Sequence, residues 1–163
     1  MMYMTSTRKI IIALMVAVAL MAGTIYAITN HKEEKPVSEI TAATFVANAK
    51  KQKLSPRNTL KNYTAYKAIE AAYEIAPRTE SYIIDFYVLS DEAYAKSMFD
   101  QNDTPMKSKP NYKTSTKDGV SISTTEQRYR YTKIIKVGHN FVKGTTLVEN
   151  KSQLDKVLKA LGF

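Results

Sequence analysis

Four cations crowded into nine residues, Arg128, Arg130, Lys133 and Lys136 in RYRYTKIIKV, form the group of side chains best suited to recognise a ligand in this 163-residue chain. Cations at such spacing attract polyanions, because the fields of like charges add over one surface. On a regular strand the period of two places Arg128, Arg130 and Lys136 on one face, with Tyr129, Tyr131, Lys133, Ile135 and Val137 on the other. Lys107, Lys109, Lys113 and Lys117 extend the patch if the segment that carries them folds alongside. The chain has 24 Lys plus Arg against 15 Asp plus Glu, a formal charge of +9, and the excess is uneven. Residues 105–163 hold twelve basic and four acidic side chains, whereas residues 36–104 hold eight and nine. The plainer role for lysines on a strand's outer face is to keep a sheet edge soluble.

Catalytic chemistry has little to build on. The two histidines, His31 and His139, fall in a polar linker and a turn, and neither has the surroundings of a general base. There is no H-x-x-x-H, no H-E-x-x-H and no calcium-loop series, and the five glycines are isolated, unlike those of a phosphate-cradling loop. The absence of cysteine excludes disulfides, thiolate catalysis and zinc–thiolate sites. Asp85, between Tyr82 and Tyr87, reads as a solvent-facing carboxylate on a strand. No catalytic residue, metal or cofactor is therefore expected.

The elements that position the cations follow from periodicity. Thr41 caps a short helix carrying Phe45, Val46 and Ala49, and residues 54–62 read as a loop. Residues 67–76 alternate with period two despite their Ala and Glu content, and with Tyr82–Leu89 they make a hairpin. Ser90 caps a second helix that ends near Asn102, with Tyr94, Ala95, Met98 and Phe99 as its stripe. Residues 103–119, with two prolines and four lysines, read as a mobile loop. Strands at 120–126, 128–137 and 141–148 follow as a meander. A last helix is capped by Asn150, presents Leu154, Val157, Leu158 and Leu161, and stops at Gly162. The fold class is α+β: a single antiparallel sheet with helices packed on one face.

Ahead of this domain, Ile10–Ile28 runs nineteen residues without a charge, nine of them Ile, Leu or Val. As a helix it is roughly 28 Å long, close to the roughly 30 Å hydrocarbon core of a bilayer. Arg8 and Lys9 precede it, which favours a cytoplasmic N-terminus. A signal-peptidase site needs small residues at minus three and minus one, and Ala27 has Ile25 two places before it. Thr24 stands where a lipoprotein signal would place its cysteine. The segment therefore reads as an uncleaved signal anchor, giving residues 1–9 in the cytoplasm, 10–28 in the membrane, 29–40 as linker and 41–163 as an extracytoplasmic domain.

The stretch SYIIDFYVLSDEAYAKSMFDQN, with its L-S-D-x-x-x-A-x-x-x-F run, and the closing helix ending in LGF resemble small extracytoplasmic domains of Gram-positive bacteria, held by one helix or a lipidated cysteine. The resemblance implies a fold and a location and carries no catalytic residues. Pilin-like leaders begin their helix with G-F-T-L-x-E, and TSTRKIIIAL has neither the Gly nor the Glu. The expectation is a single-pass envelope protein that binds or assembles, its partners being the bilayer through residues 10–28 and an anionic envelope polymer, lipid or membrane protein through Arg128, Arg130, Lys133 and Lys136. Nucleic acid ranks behind these. A structural subunit of a membrane complex and an enzyme with an unrecognised site are the alternatives.

Overall fold

Three tight hairpins and one returning strand generate the sheet. In the computed structural model, which describes residues 37–78 and 82–163, Val37–Phe163 forms one compact unit. The elements are α1 (Ala42–Lys51), β1 (Arg57–Asn58), β2 (Ile69–Ile75), β3 (Tyr82–Leu89), α2 (Glu92–Asp103), β4 (Lys113–Lys117), β5 (Val120–Gln127), β6 (Arg130–Val137), β7 (Asn140–Leu147) and α3 (Lys151–Leu161). The strands make a seven-stranded antiparallel sheet in the order β1-β2-β3-β7-β6-β5-β4. After β3 the chain crosses to the far edge through α2 and then returns strand by strand until β7 pairs with β3. Two-residue loops join β4 to β5, β5 to β6 and β6 to β7. The first is Asp118-Gly119 with φ of 51° and 78°, the backbone that matches strand twist and that Asp-Gly adopts readily. The proposed membrane segment 10–28 lies outside the described residues, and among the described residues no helix is long and apolar enough to cross a membrane.

The helices cover both faces of the sheet, which corrects the one-face expectation. Phe45 of α1 stacks on Phe86 with centroids 4.2 Å apart, and Leu154, Leu158 and Leu161 of α3 join Ile84, Ile135 and Val142 in the same cluster. On the other face Ala95 and Phe99 of α2 pack with Leu89, Ile134 and Phe141. Neighbours on a strand point to opposite faces, so the buried pairs Ile134–Ile135 and Phe141–Val142 require a cover on each side. The α2 cap is Asp91, whose carboxylate accepts from the Tyr94 N–H at 2.9 Å, one residue beyond the expected Ser90.

Residues 103–119 are also more ordered than composition suggests. β4 pairs along its length with β5, and Ser123 Oγ donates to Thr114 Oγ1 at 3.0 Å. All five β4 residues are exposed, so this edge strand has no apolar alternation to read. At the base of the segment the Tyr112 hydroxyl donates to buried Asp103 at 2.9 Å, and Lys107 lies 3.4 Å from the same carboxylate.

Two contacts fix how α3 and the incoming chain meet the sheet. Gly144 of β7 is buried under Leu154, where a Cβ would come within 3.0 Å of both Leu154 Cδ atoms. The Ile40 N–H donates to the Oδ1 of fully buried Asn140 at 2.7 Å, and the Glu39 side chain lies over Gly138 so closely that its carboxylate would have to move to admit a Cβ there. Gly144→Val should lower the unfolding free energy by about 1–3 kcal/mol through overpacking. Leu154→Ala alone should lower it by about 2–5 kcal/mol. Denaturant titration of the double variant should show less than the sum, since the smaller residue vacates the space the valine needs. Strict additivity would mean that the two residues do not share this contact.

Candidate functional site

Antiparallel register carries one row of side chains across the α2 face of the sheet. Glu74 of β2 is opposite Asp85 of β3, Asp85 is opposite Lys143 of β7, and Lys143 is opposite Ile134 of β6. The next row sets Tyr87 opposite Phe141. Above β3 and β7, Asp85, Tyr87, Phe141 and Lys143 floor a cleft of about 690 Å³, within the range of small-molecule sites. Tyr63, Tyr66 and Lys67 close one side from the segment before β2. α2 closes the other with Tyr94, Ser97, Met98 and Gln101, which follow i, i+3, i+4, i+7 spacing and so share one face of the helix.

The polar groups at the floor are unevenly satisfied. Lys143 Nζ donates to Asn102 Oδ1 at 3.2 Å, and Asn102 Nδ2 donates to the Met98 carbonyl at 2.9 Å. The Tyr63 and Tyr87 hydroxyls share a hydrogen bond of 2.9 Å, with the rings edge to face at 5.5 Å. Asp85 has neither a hydrogen bond nor an ion pair within 4.0 Å among the described residues, although it is half-buried. Burial first, then the neighbouring Glu74, push its carboxyl above the usual aspartate range, while Lys143 pulls the other way. Burial and the bond to Tyr63 push the Tyr87 hydroxyl well up, so it stays protonated at neutral pH. The cleft therefore presents an open acceptor at Asp85, cationic and amide donors beside it, and a surround of aromatic rings.

The four basic residues singled out from sequence do not come together as one surface. Lys136 is buried on the α2 face and ion-paired with Glu92 at the start of α2. That bond holds the Glu92 carboxyl below its ordinary range. Lys133 points to the opposite face and meets Asp155 of α3 at 2.9 Å. Arg128, with φ of 54°, sits in the β5–β6 turn, and Arg130 begins β6; both are exposed. Reading RYRYTKIIKV as a strand from 128 placed Arg128 two residues too far into the sheet and overlooked the acids that α2 and α3 supply. Lys107 is likewise engaged with Asp103. His139 lies in the β6–β7 turn, and no group of three metal-ligating side chains occurs among the described residues.

Sequence reading missed the cleft because its walls come from three separate segments. The available signal was Asp85 inside the otherwise apolar run YIIDFYVL, together with the Tyr94, Ser97, Met98, Gln101 stripe. Asp85→Asn tests how far that carboxylate works against folding. A carboxyl raised in the folded state binds its proton more tightly there than in the unfolded chain, so stability falls as pH rises from near 3.8 through the folded pKa. The Asn variant should melt at a higher temperature than the parent at pH 7, and the difference should vanish below pH 3.8, where Asp85 is protonated in both states. Melting curves across pH read this directly, and a variant no more stable at pH 7 would refute it.

The chain matches no family model, no curated protein and no solved structure, so the meaning of the cleft rests on its own geometry.

Proposed function

We propose that the chain is a single-pass, membrane-anchored extracytoplasmic binding module of the cell envelope, and that its ligand sits in the cleft over Asp85 rather than along β6. The observation that carries the second part is Asp85 itself, a half-buried carboxylate with no hydrogen-bond or ion-pair partner among the described residues. Burying an unpaired charge opposes folding, and such groups gather where a ligand supplies what the fold withholds. Exposed aromatics support the same place: of the five large exposed apolar side chains among the described residues, Tyr66 and Tyr94 both line the cleft. The anchor rests on the charge-free run Ile10–Ile28 and its basic N-terminal flank. A contact with anionic envelope polymer or lipid falls to Arg128 and Arg130, as an exposed contact weakened by salt.

Two measurements test the halves separately. The chain should remain with membranes through an alkaline carbonate wash, and protease added outside spheroplasts should digest residues 37–163; release by carbonate overturns the anchor. A fragment library read by protein NMR should shift amides around Tyr66, Asp85, Tyr94 and Lys143. Fragments that gather elsewhere overturn the cleft as the binding site.

A further inference from the structure

We infer that the cleft takes a neutral saccharide, bound by stacking on the rim tyrosines and by hydroxyl hydrogen bonds to Asp85 and its neighbours; this rests on the cleft being the binding site. A pyranose has an apolar C–H face and a rim of hydroxyls, each of which both donates and accepts. Its site needs flat apolar side chains at the edge and polar groups of both kinds below. Tyr66 and Tyr94 are 66% and 53% exposed, so their rings are open to a ligand rather than used up in the core. Tyrosine offers that area with little conformational entropy to lose. At the floor Asp85 can accept from two adjacent hydroxyls, while Lys143 and the amides of Gln101 and Asn102 supply donors.

Charge separates this class from the others. Lys67 and Lys143 offset Asp85 along the cleft, which denies an organic cation the net negative field it would need. The Asp85 carboxylate at the floor repels an anionic group that comes within reach of it. An acyl chain would leave the Asp85 carboxylate desolvated and still unpaired. A ligand that is uncharged yet rich in hydroxyls meets none of these penalties.

The test uses the full chain in a detergent without a sugar headgroup, titrated calorimetrically with neutral tetrasaccharides of glucose, mannose, galactose and N-acetylglucosamine. Choline and inorganic phosphate serve as the cationic and anionic comparisons. At least one tetrasaccharide should bind saturably, with affinity lowered about tenfold or more by Asp85→Ala and several-fold by Tyr66→Ala, a rim residue outside the core. Tyr129→Ala, an exposed tyrosine of the β5–β6 turn that does not line the cleft, should bind as the parent does, and circular dichroism should show all three variants folded. Choline binding without any tetrasaccharide overturns the saccharide and keeps the cleft. A tetrasaccharide bound equally by the parent and Asp85→Ala overturns the assignment of the floor. Failure of every tetrasaccharide in a chain whose cleft still takes up fragments overturns the saccharide alone, whereas fragments binding elsewhere overturn both readings.

Discussion

Burial of the central strands on both faces is the constraint from which the rest of this domain follows. β3, β7 and β6 each carry large side chains in adjacent positions, Phe86 beside Tyr87, Phe141 beside Val142 and Ile134 beside Ile135. One layer of helices can cover only half of these. α1 and α3 close one face around the Phe45–Phe86 stack, and the crossover after β3 brings α2 onto the other. Because α2 covers β6 and β7 while the segment before β2 rises beside β3, the α2 face is left with an unfilled space between them. The cleft is thus a product of how a two-faced sheet is covered by one helix on that side.

That arrangement also explains why similar charged residues end up with unlike roles. Lys136 and Asp85 both project to the α2 face, one ion-paired with the helix start and the other facing the open space. Lys133, three residues before Lys136, is on the opposite face and meets α3. Pairing at Lys136 and Lys133 ties each flanking helix to β6 and leaves little of the local positive charge for a ligand. Partly buried pairs of this kind register one element on another more than they stabilise the whole.

Much of the fold was legible from periodicity. β2, β3, β5, β6 and β7 and all three helices lie where alternation and helical stripes place them, within a few residues at their ends. What escaped has physical causes. β4 is an edge strand with every residue exposed, so no hydrophobic pattern marks it. The choice of face for α2 depends on the run Ile134–Ile135 being buried on both sides, a signal easily read as one strong strand. The cleft lies deeper still in tertiary structure, since Tyr66, Asp85 and Tyr94 are brought together by register and helix packing. The basic run, by contrast, was conspicuous in sequence, and two of its four cations, Lys133 and Lys136, are taken up by acids from α3 and α2.

The hydrogen bond from Ile40 to Asn140 joins the first described turn of the chain to the first residue of β7. β7 continues through Phe141 to Lys143, both at the floor of the cleft. A pull transmitted along the chain from upstream of Val37 meets this bond early and passes into the strand on which the ligand would rest. β7 is in turn hydrogen-bonded along its length to β3 on one side and to β6 on the other. In the proposed membrane-held protein, the point where the chain enters the head and the proposed recognition surface would share one strand, β7.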